Sequence, residues 1–154
     1  MEGMMTIESK IDIFEIDQPP ISCKLTIAAE QQVVNGIFVD FILFNHSEGD
    51  LSVLTWHTPL EGFYSKLFII TDQYNEQVAY QGPMIKRANP SAADYQLIRA
   101  NGNVATLLDL SLVYDLIPGD YKLQLNKKTL QVIENEMPFC ICQCEIDTIN
   151  FSVN

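Results

Sequence analysis

Asn35-Gly-Ile-Phe-Val-Asp40-Phe-Ile-Leu-Phe44-Asn45 is the stretch that decides the fold class. Asn-Gly marks a turn, and the apolar run behind it is broken by Asp40 and has the length of a strand. It is far too short to span a bilayer, which takes roughly 18 apolar residues in a helix. The same grammar repeats outward from it. Ile11-Asp-Ile13-Phe-Glu-Ile16 and Ser22-Cys-Lys-Leu-Thr-Ile27 alternate apolar with polar residues, separated by the breaker Asp17-Gln-Pro-Pro20. Beyond the polar loop His46-Ser-Glu-Gly-Asp50 come Leu51–Trp56 and Leu67–Thr71, then the turn Asp72–Glu76. Val78–Tyr80, Met84–Lys86, Val104–Leu110, Tyr121–Leu125 and Glu145–Val153 complete the set. About nine or ten short strands with recurring turns read as an all-β sandwich. Helix signals are confined to single turns at Asn89-Pro90-Ser91-Ala-Ala-Asp94-Tyr95 and at Ser111–Tyr114. No repeat, linker or low-complexity tract divides residues 1–154, so one domain is expected.

Composition bounds the function. Apolar residues make up 47% and charged residues 19%, which suits a packed core rather than a disordered chain. The net charge of −11 argues against nucleic acid and against an anionic membrane surface, both of which call for clustered Lys and Arg. Such a surface keeps a small protein soluble and can steer a basic partner. Met1-Glu-Gly-Met-Met-Thr-Ile-Glu-Ser-Lys10 lacks the basic and apolar regions of a secretory signal. The default expectation is therefore cytoplasmic, with non-classical secretion as the other route.

The cysteines are Cys23, Cys140, Cys142 and Cys144. On a strand the last three share one face. Neighbours along a strand sit too far apart for an easy disulfide, and C-x-C-x-C is not the knuckle spacing of structural zinc. A soft-metal thiolate site at Cys140, Cys142 and Cys144 is the weaker reading. Free thiols acting as small buried hydrophobes in a reducing compartment are the preferred one.

No catalytic constellation is legible. His46 and His57 are the only histidines, and no His-Glu-x-x-His is present. His57 and Glu61 have i, i+4 spacing, but Pro59 between them disfavours a helix. There is no Gly-x-Ser-x-Gly elbow and no phosphate loop, and Glu48-Gly49-Asp50 lacks the remaining ligands of a calcium loop. The expectation is a non-enzyme with no cofactor and no metal. Among the conspicuous residues, the lone Trp56 reads first as a packing residue and second as a binding anchor. Thr58–Gly62 reads as a loop in which Pro59 fixes φ and Gly62 permits a positive φ. Tyr114 reads as a tyrosine whose hydroxyl ties down a loop, and Tyr121 as packing on the last core strand. Lys86-Arg87 reads as a solvated pair near Asp94 or Glu61, with contact to an acidic partner or a protease-sensitive bond as alternatives.

Leu54-Thr-Trp56-His57-Thr58-Pro59-Leu60-Glu61-Gly62-Phe63 belongs with four further segments. These are Tyr80-Gln-Gly82-Pro-Met-Ile-Lys86-Arg87, Asp94-Tyr95, Asp109-Leu-Ser111-Leu-Val-Tyr114-Asp115-Leu116 and Pro118-Gly119-Asp120-Tyr121. Together, over Leu54 to Leu125, they resemble the non-catalytic N-terminal domain of deuterolysin-like zinc metalloendopeptidases, including the peptidyl-Lys type. The resemblance implies an immunoglobulin-like sandwich that precedes a zinc catalytic domain, and this chain stops where such a domain would begin. The tail after Lys127 carries no matching motif. What the resemblance implies for function is a protein-binding module, with a zinc metallopeptidase restrained or assisted by it as the leading partner. Trp56, His57, Leu60, Glu61, Phe63, Lys86 and Arg87 are its expected contact residues. The alternative is a general interaction module or a secreted, host-directed sandwich unconnected with proteolysis, because sandwich folds host many functions.

Overall fold

Alternation along Phe38–Asn45 sends Val39, Phe41 and Leu43 into the core and leaves Asp40 and Ile42 on the other face. The aspartate inside the apolar run therefore marks which side faces outward. The same two-residue period buries Tyr121, Leu123 and Leu125, and Phe68 with Ile70. In this computed structural model, which describes residues 19–154, those faces meet in one continuous apolar cluster. The strand expected over Ile11–Ile16 lies outside the described residues.

The strands are β1 (Ile21–Ile27), β2 (Glu30–Gln31), β3 (Phe38–Asn45), β4 (Leu51–Leu54), β5 (Phe68–Asp72) and β6 (Tyr95–Ile98). They continue as β7 (Asn103–Asp109), β8 (Gly119–Leu125), β9 (Thr129–Glu134), β10 (Met137–Gln143) and β11 (Ile149–Val153). Among the described residues these form three hydrogen-bonded sheets, in the orders β1-β3-β7, β10-β9-β4-β6 and β2-β11-β8-β5. Pairing is antiparallel except where β11 meets β2. The expected all-β, immunoglobulin-like sandwich is the fold observed, with four 3-10 turns among the described residues where one or two helical turns were anticipated. The turn at Asn89–Tyr95 is present as Ala92–Asp94, closed by a capping box between Ser91 and Asp94.

Several local expectations need correction. Met84–Lys86 lies outside any strand, and Val78–Tyr80 forms no strand of its own, giving only an isolated bridge of Tyr80 to Tyr114 and a bond from the Val78 N–H to the Ile70 carbonyl at 2.8 Å. Pro83 has no N–H to give a ladder, and a Cβ at Gly82 would overlap the Tyr80 ring and Val113. Glu145–Val153 is strand only from Ile149. The β9–β10 hairpin was not anticipated; its turn is Asn135-Glu136, both with positive φ (52° and 64°), as a tight hairpin of this hand requires.

The cysteine reading is also overturned. Cys23 of β1 and Cys144, just past β10, form a disulfide with Cα atoms 5.4 Å apart and a sequence separation of 121. Spacing within C-x-C-x-C is silent on this pairing, because the partner arrives from a distant strand. Cys144 is thereby removed from any thiolate metal site, and among the described residues no group of three His, Cys, Asp or Glu side chains could hold a metal ion.

Two tyrosines lock the core through their hydroxyls. Tyr114, 2% exposed, donates to the Phe68 carbonyl at 2.9 Å, so it ties β5 as well as its own loop. Tyr121 stacks on Phe151 of β11, with centroids 5.4 Å apart, and donates to the Ile117 carbonyl at 2.6 Å. A tyrosine at the start of a strand reaching back to a backbone carbonyl is a recurrent corner device in sandwiches. Burial pushes the Tyr114 hydroxyl up to about 12 from its ordinary 10.0. An unfolded chain ionises this group near pH 10 and the folded one holds the proton to about 12. The stability it contributes is therefore whole below pH 10 and is lost as pH rises through that window. Alkaline unfolding curves should show this fall, and Tyr114→Phe should flatten it; an unchanged slope would assign the effect to Tyr80 and Tyr121, which are also raised.

Candidate functional site

β4 ends at Leu54, two residues before the sequence pattern suggested, because Thr55 turns the chain. Its N–H and hydroxyl both donate to the Asp94 carbonyl, at 2.9 and 3.0 Å. The following loop is built on Thr58, whose hydroxyl donates to the Thr55 carbonyl at 2.7 Å and accepts from the Leu60 N–H at 3.2 Å. Pro59 then opens the 3-10 turn Pro59–Glu61, a position where a missing N–H costs nothing. Gly62 closes it at φ 87°, in the region glycine adopts most easily.

Glu61 holds the loop together. Its carboxylate accepts the His57 N–H at 2.8 Å and takes Arg87 in a two-pronged pair, at 2.7 and 3.2 Å. His57 sits at φ 62°, an unusual backbone region for a residue with a side chain. The Arg87 guanidinium lies 5.0 Å from the centre of the Trp56 ring, within range of attraction to its π face. Asp94 completes the cluster. Its carboxyl is held below the usual range first by the Ser91 backbone N–H, with desolvation opposing it. The Trp56 indole, the Ser91 hydroxyl and the Arg87 charge lower it further.

Trp56, Glu61 and Arg87 are therefore brought together with the backbone of His57, and Arg87 pairs with one of the two carboxylates expected near it. Leu60 and Phe63 turn inward against the core. Phe63 packs edge-on to Phe68 and near Tyr80, with centroids 6.4 and 6.5 Å away. Of the seven expected contact residues, only His57 and Lys86 are exposed, and the other five are half-buried. Sequence reading missed their neighbours Tyr64, Met84 and Ile85, which are 44%, 72% and 44% exposed. The Ile85 N–H donates to the Tyr64 carbonyl at 3.0 Å, placing these apolar side chains beside the clamp. The missed signal was the apolar pair Met84-Ile85 between Pro83 and Lys86, which reads as a strand until Pro83 is given its weight.

Arg87→Ala should remove the pair from a half-buried carboxylate and cost about 1–3 kcal/mol. Trp56 is the only tryptophan, so its emission should shift to the red as the guanidinium leaves its face. Unchanged emission together with unchanged stability would show the clamp to be decorative.

Other residues of the resembling motifs have structural work. Asp109 accepts from the Ile37 N–H at 2.9 Å and from the Ser111 N–H and hydroxyl at 3.0 and 2.6 Å. Burial alone would raise its carboxyl, and those bonds outweigh it to leave a lowered value. Tyr80 donates to the Pro83 carbonyl at 2.7 Å. The acidic turn after β3 is held by its own backbone and by the end of β6: Asn45 donates to the Gly49 and Ile98 carbonyls, both at 2.9 Å, and Asp50 accepts the Ala100 N–H at 2.9 Å. Ser22 Oγ and His46 Nε2 lie 2.7 Å apart on the exposed face of the first sheet. Among the described residues no carboxylate hydrogen-bonds to His46, so this pair lacks the third member of a triad. No helix among the described residues is long and apolar enough to cross a membrane.

No family model matches the chain. It is similar to a protein named extracellular protease from Aeromonas hydrophila, with 29% identity over 107 residues. The match covers 66% of this chain and 30% of that protein. The chain thus spans less than a third of the relative's length, a similarity that fits a protease-related domain.

Proposed function

We propose that this chain is a non-catalytic, protease-associated binding module whose partner is a zinc peptidase of the deuterolysin-like kind. The observation that carries this reading is the match to under a third of an extracellular protease, by a chain with no His-Glu-x-x-His. The motif residues of Leu54–Leu125 support the fold from within, as Glu61, Asp109 and Tyr114 do. Contact then falls to the side chains left outside the clamp: His57, Tyr64, Met84, Ile85 and Lys86. An apolar centre with a charged rim suits a protein partner, held still by the Arg87–Glu61 pair beneath it. Loops fixed on a rigid sandwich are well placed to cover or brace a peptidase cleft. The Cys23–Cys144 disulfide supports an oxidising compartment in preference to the cytoplasmic default.

Titration calorimetry against a purified deuterolysin-like zinc peptidase tests the proposal. Saturable binding is expected, weakened about tenfold or more by Met84→Asp with Lys86→Glu, equivalent to about 1.4 kcal/mol. Absence of heat at micromolar concentrations of both proteins would overturn it and leave a general interaction module unconnected with proteolysis.

A further inference from the structure

We propose that Cys140 and Cys142 are a second oxidisable pair, closing to a disulfide within strand β10 by exchange with a small disulfide such as oxidised glutathione. The two sulfur atoms lie 2.8 Å apart, in direct contact, and neither belongs to the Cys23–Cys144 bridge. On a regular strand, residues two apart have Cα atoms about 6.6 Å apart, near the upper limit that a disulfide accommodates. From Cys140 to Cys142 the pairing with β9 is regular, and the register shifts just before them, between Pro138 and Cys140. The contact is therefore made by the two side chains, which share one face of the strand and lean toward each other until their sulfurs meet.

Exposure assigns the roles. Cys140 is half-buried at the surface and Cys142 is buried beneath it. The Cys140 thiolate attacks one sulfur of the small disulfide, breaking its S–S bond and releasing one glutathione thiolate. The buried Cys142 thiolate then attacks the Cys140 sulfur of the mixed disulfide, forming the intrastrand bond and releasing the second glutathione. Two cysteine thiols are oxidised, one small disulfide is reduced to two thiols, and the two protons pass to the departing glutathiones. Burial, with Cys142 adding to it, pushes the Cys140 thiol up to about 12. Exchange should therefore be slow at neutral pH and quicken as pH rises.

The placement has a purpose in the sheet. β10 is an end strand of its sheet, and Met137-Pro-Phe-Cys-Ile-Cys-Gln143 carries no charge to discourage another strand from pairing with it. Met137, Phe139 and Ile141 are exposed along it. A bond closed around Ile141 contracts the pleat at this edge.

The test is peptide mass spectrometry of the intact protein before and after incubation with oxidised glutathione. Free thiols are alkylated first and trypsin is added second. No Lys or Arg follows Lys128, so Thr129–Asn154 is released as one peptide, attached to the Cys23 peptide through Cys144. The expected result is two alkyl groups on it before oxidation and none after, with no retained glutathione. Cys142→Ser should instead keep one glutathione on Cys140, and Cys140→Ser should leave Cys142 unmodified, a control that does not alter the buried position. Two alkyl groups after oxidation, or a stable glutathione adduct on the unaltered protein, would overturn the proposal.

Discussion

Replacing the Cys23–Cys144 bridge with alanines should cost about 4 kcal/mol of stability. The bond closes a loop of 121 residues, and cross-links of that span remove about 4–5 kcal/mol of chain entropy from the unfolded state. Cys144 is buried at 2% exposure, so the truncation adds a small cavity of its own. Denaturant unfolding curves of the oxidised wild type and the double variant, extrapolated to water, measure the difference, with a steeper slope expected for the variant because its unlinked unfolded chain exposes more surface. A loss below about 1 kcal/mol would mean that the unfolded chain already holds these segments close together.

Phe68→Ala should be nearly as damaging, at about 4 kcal/mol. The ring is fully buried on β5, meets Phe63 edge-on, and belongs to the residue whose carbonyl receives Tyr114. Its loss opens a cavity and slackens the inner wall of the Trp56–Phe63 loop. Leu112→Ala is the control: that side chain is 75% exposed, and its removal should change stability by less than about 0.5 kcal/mol. Equal effects at the two positions would place the core somewhere other than behind β5.

The sequence carried the fold better than the surface. Val39, Phe41 and Leu43 share one side of β3 in the packed molecule because a two-residue period is a local property, readable from neighbours alone. Tyr114 was read as a hydroxyl tie and Tyr121 as a packing residue because each sits beside a turn signal; the first bonds the Phe68 carbonyl and the second stacks on Phe151. The β9–β10 hairpin was missed because Asn135-Glu136 lacks the glycine that usually announces a tight hairpin. Cys23–Cys144 was invisible because no local pattern encodes a contact 121 residues away. At the candidate site, the proximity of Glu61 to Arg87 was anticipated, and their joint hold on His57 and Trp56 was not. The inward turn of Leu60 and Phe63, and the outward turn of Met84 and Ile85, depend on how Pro83 and Gly82 route the chain past Tyr80 and Val113. That routing is a tertiary decision.

The bridge also sets how the molecule bears mechanical load. Tension applied at Pro19 and Asn154 enters β1 at one end and β11 at the other, and the covalent link from Cys23 to Cys144 carries it between them. Everything from Lys24 to Gln143 is bypassed. Only the few residues outside the link can be drawn out, an extension of about 50 Å at full stretch, and it is gained by peeling β11 from β8 and β2. With the bond reduced, the same pull would run through β3, β5 and the Arg87–Glu61 clamp, and the sandwich would yield along its whole length.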